Sequence, residues 1–163
     1  MSIGDKTITF GIPMLAPVGW VEFAEKNPSQ AELSTGVVED SDDVMNLLCD
    51  INDDVNEKIS PKLDAPEQDW NIWPRSGYGD CTDYTVTKRA ELISKGLPSS
   101  SLLIAEVVTP EEEPHAILVV RTVGGDYVLD NRDPMIYLWN EVGYWYVKMQ
   151  TPENPNFWKS VVE

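Results

Sequence analysis

The stretch that decides the fold is Ser76–Pro98, "SGYGDCTDYTVTKRAELISKGLP". Two glycines let the chain turn sharply just before Asp80. Asp80 has the short acceptor side chain of a helix N-cap. Asp83, three residues on, mimics the acidic partner of a capping box with a shorter arm than Glu. The pattern predicts a helix over Cys81–Lys95, stopped by Gly96 and Pro98. One of the chain's two cysteines therefore stands at the first helical position. There the unpaired N–H groups and partial positive charge of the helix end favour a thiolate, the form in which sulfur is a nucleophile.

Downstream of this helix the sequence turns strand-like. Leu102–Val108, His115–Thr122, Asp126–Asn131 and Tyr144–Gln150 read as strands, with "VGGD" joining the second and third as a hairpin. Upstream it is helical. Val18–Lys26 forms a short helix stopped by Asn27-Pro28. Ser41 caps a longer one, in which Val44, Leu47, Leu48, Ile51, Val55 and Ile59 recur at helical spacing until Pro61. Asp50, Asp53, Asp54 and Glu57 lie off that apolar face and read as solvated. Residues 1–16 read as an extended arm, 29–40 as a polar loop, and 61–80 as a long irregular connection that delivers the chain to Cys81. Helices first and an antiparallel sheet afterwards is the α+β pattern, with N-terminal helices packed on the sheet. Residues 1–163 contain no linker that would divide them, so one domain is expected.

The only histidine of the chain, His115, begins a predicted strand, and Asp130 ends the next one. Pairing across "VGGD", with Val123 opposite Asp126, brings His115 level with residues 130–134. A helix-start cysteine, a strand histidine and an aspartate on the adjacent strand can form a nucleophile, a base and an orienter. The competing reading of the same residues is a buried apolar thiol and a structural histidine. Asp80 and Asp83 also oppose thiolate formation, unless capping directs them at backbone N–H groups. An acyl-transfer intermediate further needs oxyanion donors. The Cys81 N–H is the natural first. The indole of Trp73 or Trp70, or the Asn71 amide, are candidates for the second, and Asn131 could contact the histidine. Tyr78 and Tyr84 read as packing residues, and Cys49 as a buried free thiol. Glu111-Glu112-Glu113 is a solvated loop beside His115.

Twelve Lys and Arg stand against 28 Asp and Glu, a net charge of −16. That argues against nucleic-acid binding, which displaces counterions with a positive footprint. It suits solubility, cation binding or a basic partner. No run approaches the ~20 apolar residues of a membrane span. The N-terminus lacks the basic and apolar regions of a signal peptide, which leaves a cytoplasmic protein, a virion-associated one, or a periplasmic one whose export signal has been removed. Two cysteines are too few for a disulfide scaffold.

"GYGDCTDYTVTKRAELISKGLPSSSLLIAEV" followed by "HAILVVRTVGGDYVLDN" resembles the bacterial transglutaminase-like cysteine peptidases, which include the periplasmic protease that releases biofilm adhesins. The resemblance runs from "PVGWVEF" to "NPNFW". It implies a papain/transglutaminase-like fold, a protein substrate, Cys81 as nucleophile, His115 as base and acid, and Asp130 as orienter. No cofactor is needed for that chemistry. Adhesin-releasing members carry Gly-Asp-Cys-Glu-Asp and bind calcium there. This chain has Thr82 at the Glu position, so the resemblance leaves Asp80 and Asp83 as calcium ligands, with one carboxylate fewer. The readings that remain open are a cysteine peptidase, an amidase or transglutaminase with the same triad, and a silent binding or structural module of this fold, such as a component of a phage virion or another large assembly.

Overall fold

The computed structural model describes residues 5–62 and 69–163. Strand β1 (Thr9–Met14) opens the fold, followed by helices α1 (Val18–Lys26) and α2 (Asp42–Lys58). The short strands β2 (Ser60–Pro61) and β3 (Tyr78–Gly79) pair in parallel just before α3 (Cys81–Ser94). Strands β4 (Leu102–Val108), β5 (Pro114–Thr122), β6 (Gly125–Asp130), β7 (Asp133–Leu138), β8 (Trp145–Thr151) and β9 (Asn154–Val162) complete the chain. Seven of the nine strands make one sheet in the order β1-β9-β8-β4-β5-β6-β7, with every neighbour antiparallel.

The helices form where the sequence places them. Ser41 accepts the Val44 N–H and caps α2. Asp80 and Asp83 form a reciprocal capping box on α3. The acidic residues of α2 stay at the surface: Asp50, Asp53 and Glu57 are exposed and Asp54 is half-buried. The hairpin turn has the expected two-residue loop but sits one residue earlier. Thr122 pairs with Gly125, not Val123 with Asp126, and the pairing then runs through Arg121–Asp126 to Leu118–Leu129. Continued outward, that register sets His115 opposite residue 132, so Asp130 is its diagonal neighbour, within reach of a long side chain.

Five strands lie outside the four expected ones: β1 within the extended arm, the two-residue β2 and β3 at the ends of the long connection, and β7 and β9, for whose residues the sequence suggests no element. Pro28–Ala31, within the expected loop, closes a 3-10 turn. The long connection is anchored by the β2–β3 ladder at its two ends, while residues 63–68 of it and 1–4 of the arm lie outside the described residues.

Both faces of the sheet are buried. Leu102, Ile104, Leu118, Val120, Leu129 and Trp158 meet Leu48, Val55, Tyr84 and Leu92 of the helices. Leu103, Ala105, Ile117, Val119 and Met149 point the other way and pack under Ile8, Trp139 and Tyr146. Each such side chain contributes about 1.5–3 kcal/mol when fully buried. Arg89, 1% exposed, ties α3 down. Its Nε donates to Leu102 O and its Nη1 to Gln30 O, with the guanidinium over the Trp20 ring. The sheet thereby holds the start of α3 against the beginning of β5.

Candidate active site

Cys81 is held at its position by local hydrogen bonds. Asp80 Oδ1 accepts the N–H groups of Thr82 and Asp83 at 3.2 and 3.3 Å. Asp83 Oδ2 accepts the Asp80 N–H at 3.0 Å, and its Oδ1 accepts the Asn71 N–H at 2.8 Å. One aspartate thus fixes both the helix start and the end of the long connection. The glycines are needed there. Gly77 has φ +81°, in the left-handed region that disfavours side chains. A Cβ on Gly79 would come within 2.9 Å of Asp83 Cβ. Thr85 Oγ1 donates to Cys81 O at 2.7 Å, with Ala116 O of β5 also within 3.4 Å.

His115 and Asp130 meet as the topology requires. The imidazole Nε2 lies 2.7 Å from Asp130 Oδ1. Both side chains are buried, at 7% and 5% exposure. Asp130 is held by two further donors, the Arg132 N–H at 3.0 Å and the Tyr144 hydroxyl at 2.5 Å. The Tyr144 ring stands edge-on to the imidazole, 5.6 Å between centroids. Burial alone would push the Asp130 carboxyl up, but the His115 ring, the Tyr144 hydroxyl and the Arg132 N–H outweigh it and hold the group below the usual carboxylate range. With Nε2 turned to the carboxylate, Nδ1 is the ring nitrogen left for a second partner.

Cys81 and His115 line one cleft of about 430 Å³, together with Gly19, Trp70, Glu106 and Ala116. No hydrogen bond joins the sulfur to the ring. Catalytic hydrogen bonds often form only in the reacting complex, and the shared cleft is the observation that links the two groups. The thiol's electrostatics differ from the sequence reading. Burial pushes the Cys81 thiol up to about 11, and Asp80 and Asp130 add negative field in the same direction. The backbone N–H groups of Ala116 and Cys81 oppose this without overcoming it. Burial thus opposes the thiolate that the helix end favours.

The other singled-out residues are distributed unevenly. Trp73 lies outside the cleft: its N–H donates to Thr87 Oγ1 at 2.9 Å and its indole Nε1 to Glu91 Oε2 at 3.3 Å. Trp70 lines the cleft, seated over Gly19, where a Cβ would come within 2.2 Å of the indole nitrogen. The Asn71 side chain donates to Asp69 O. Asn131 Oδ1 is buried without a partner among the described residues, and the ring's hydrogen bond goes to Asp130. Tyr78 is 56% exposed and so does little packing, whereas Tyr84 is buried and donates to Ile59 O. Cys49 and Cys81 are both free thiols, and Cys49 is half-buried. Tyr144 was not singled out as a site residue in the sequence. It enters from the residue just ahead of β8, 14 residues on from Asp130, on a strand three places from β6 in the sheet order.

Asp80 and Asp83 flank Cys81 as the motif predicts, yet they fit calcium poorly. Both Asp83 oxygens receive backbone N–H groups, and the Thr82 hydroxyl donates to Asp80 Oδ1 at 2.6 Å. Thr82 thus adds a competing donor where a carboxylate would have added a ligand. Among the described residues no three His, Cys, Asp or Glu side chains are grouped to hold a metal ion. Calcium takes six to eight oxygens.

Comparison with known proteins bears on the whole arrangement. Three solved structures of Legionella pneumophila LapG share the fold. One matches at TM-score 0.63 and 19% identity, over 86% of this chain and 76% of that one. The calcium-bound form matches at 0.61 and 18%, over 86% and 77%, and the EGTA-treated form at 0.60 and 19%, over 80% and 71%. No curated protein matches the chain in sequence. The profile of the bacterial transglutaminase-like cysteine proteinases (BTLCP) matches residues 11–163, a span that takes in the α3 start, the β5 histidine and the β6 aspartate alike, and the chain belongs to that family.

Proposed function

We propose that the protein is a cysteine peptidase in which Cys81 attacks a peptide carbonyl, His115 carries the proton and Asp130 orients the ring. The observation that carries this reading is the Nε2–Asp130 contact at 2.7 Å, which leaves Nδ1 as the base in the cleft that Cys81 also lines. With burial holding the Cys81 thiol up, His115 acts as a general base: it takes the thiol proton as sulfur bonds to carbon, and returns it to the leaving amine. Water, deprotonated by the same nitrogen, then releases the acyl group. The Cys81 N–H supplies one oxyanion donor. The Trp70 indole N–H, in place of that of Trp73, supplies the second.

Family membership and the acyl-enzyme chemistry support a protein substrate. None of these steps is routed through calcium, and the carboxylates flanking Cys81 form the capping box of α3. The experiment is digestion of a peptide library with mass-spectrometric product mapping, using the wild type and Cys81→Ala. Cleavage that vanishes in Cys81→Ala, with an unchanged circular-dichroism spectrum, is the expected result. Retained cleavage in that variant ends the proposal. A wild type that cleaves nothing, and whose thiol resists alkylation until denatured, indicates a silent module of this fold. A primary-amine acceptor added to the digestion separates hydrolysis from transfer.

A further inference from the structure

We propose that Glu106 is a specificity-determining residue of the cleft: its carboxylate receives a lysine or arginine side chain that the substrate carries close to the scissile bond. The inference names a substrate class for the peptidase reading and rests on it.

Glu106 belongs to β4, the strand beside β5. Side chains alternate between the two faces of a strand, and Leu102 and Ile104 turn towards the helices. Glu106, two residues on, shares their face, the one that α3 covers. Val107, packed in the opposite cluster, keeps to the alternation. Across the ladder Glu106 is paired with Ala116, as Val107 is with His115. Ala116 in turn meets the start of α3, where the Thr85 hydroxyl lies 2.7 Å from Cys81 O and 3.4 Å from Ala116 O. One step along the sheet therefore links Glu106 to the residue that touches the nucleophile's helical turn, and the cleft of about 430 Å³ that holds Cys81 and His115 takes in Glu106 as well.

Among the described residues lining that cleft, Glu106 is the only acidic one, and none is a lysine or arginine. Val18, Trp70, Val108, Pro114 and Val147 make much of the remaining wall apolar. An apolar wall with a single carboxylate suits a guest with a hydrocarbon stem and a cationic head. The carboxylate is open to such a guest. Its side chain is 35% exposed, and the ammonium of Lys148 stands 3.8 Å away, beyond hydrogen-bond reach. Lys148 Nζ is instead held by Leu15 O, to which it donates at 2.8 Å. The Glu106 oxygens thus keep lone pairs that a guanidinium can engage two at a time. Burial pushes the Glu106 carboxyl up and Lys148 offsets this only in part, so a cation brought into contact favours the charged form further. The net charge of −16 attracts any basic peptide, but so broad a field does not choose a position along it. A single carboxylate in the cleft does.

The test starts from a peptide that the wild type cuts and places arginine, lysine or norleucine in turn at each position flanking the cut. The expected result is a kcat/KM for the basic residues about tenfold above norleucine at one position next to or near the cut, and less than about twofold above it elsewhere. In Glu106→Gln that ratio should fall to about one at the same position. An equal gain at every position, no gain at any, or a positional gain that survives in Glu106→Gln overturns the proposal. The position scan needs only the wild type, so it decides even where Glu106→Gln does not fold. A wild type that cleaves no peptide counts against the peptidase reading, and the Glu106 reading is then decided by binding. In Cys81→Ala, the blocked pentapeptide Ala-Ala-Arg-Ala-Ala is titrated against its uncharged citrulline counterpart, with the chain's single histidine ring as the proton NMR probe. The arginine peptide should bind about fivefold more tightly, and the difference should vanish when Glu106→Gln is added. Equal affinities in Cys81→Ala, or a difference that persists in the double variant, overturn the proposal.

Discussion

Cys81 and Asp130 pull against each other electrostatically. Asp130 keeps its charge because three donors converge on it, and part of that charge reaches the sulfur. The consequence is measurable. Alkylation of Cys81 should accelerate continuously through pH 9 and 10, with no plateau in the neutral range, because burial holds the thiol up to about 11. Iodoacetamide kinetics against pH check this, and a plateau reached by pH 7 would mean a preformed thiolate. Tyr144→Phe removes one donor from the carboxylate while sparing the ring packing. We expect kcat to fall about tenfold with KM little changed, in the range of a lost charge-assisted hydrogen bond of about 1.5 kcal/mol. Equal kcat for the two proteins would exclude a catalytic contribution from the hydroxyl. The residues in contact here were legible in unequal measure. Cys81 was readable because its setting is local, a turn and a cap within four residues. The meeting of His115 with Asp130 followed from one hairpin, even with its turn misplaced. Tyr144 was not readable, since it reaches Asp130 from outside that hairpin. Trp73 and Trp70 could not be told apart, because what separates them is the path of an irregular connection. Trp73 leaves the cleft with a backbone φ of +45°, a conformation no pattern of residue types announces.

Of the three buried charged groups of helix α3, Asp83 and Lys88 act in opposite directions on stability. Asp83 joins the helix cap to the connection, so Asp83→Ala should cost about 2 kcal/mol: roughly 1 for the cap, and a similar amount for the donors left unmet. Urea unfolding measures it, and a loss under about 0.5 kcal/mol would show that the box is dispensable. Lys88 behaves differently. Its folded value of about 7 lies below that of the unfolded side chain. The native state therefore binds fewer protons than the unfolded state between about pH 7 and 10.4, and stability rises with pH across that window. Below pH 7 the full penalty is present. Lys88→Met should accordingly stabilise the protein by a few kcal/mol at pH 6, order of magnitude, with the gain shrinking towards zero by about pH 10. Unfolding at pH 6, 8 and 10 tests the slope, and a pH-independent difference would refute it. The same helices were the elements most legible in the sequence, because caps and a 3.6-residue period are local signals. β1, β7 and β9 escaped notice for a physical reason. β1 contains Gly11 and Pro13 and is largely exposed, β7 is a half-exposed edge with Pro134 as its second residue, and β9 breaks its alternation around Pro155. β1 gains its order from β9, at the other end of the chain, and β7 from a single partner, β6.

At the scale of the whole molecule, a sheet covered on both faces is set inside a shell with a net charge of −16. The sheet itself positions two members of the site: β5 and β6 lie within the hydrogen-bonded ladder, not at an edge, and carry His115 and Asp130 on adjacent strands. The charged shell works against that order. Among the described residues the ion pairs at the surface, such as Lys26–Asp69 and Arg132–Glu111, are exposed and contribute little. Unpaired like charges repel more strongly in the compact state than in the unfolded chain, and salt screens that repulsion over a Debye length of about 10 Å at 0.1 M. Raising sodium chloride from about 0.01 to 0.3 M should therefore raise Tm by several degrees at pH 7.5, while at pH 4.5, with many carboxylates protonated, the same addition should do much less. Potassium chloride should match sodium chloride, because screening does not distinguish the cations. A Tm that falls with salt at pH 7.5 would mean that attractive ion pairs dominate the surface, contrary to the excess of 28 acidic over 12 basic side chains. A large rise with calcium at millimolar concentration, unmatched by magnesium, would instead point to a specific site beyond the capping box, since screening alone treats the two divalent ions alike.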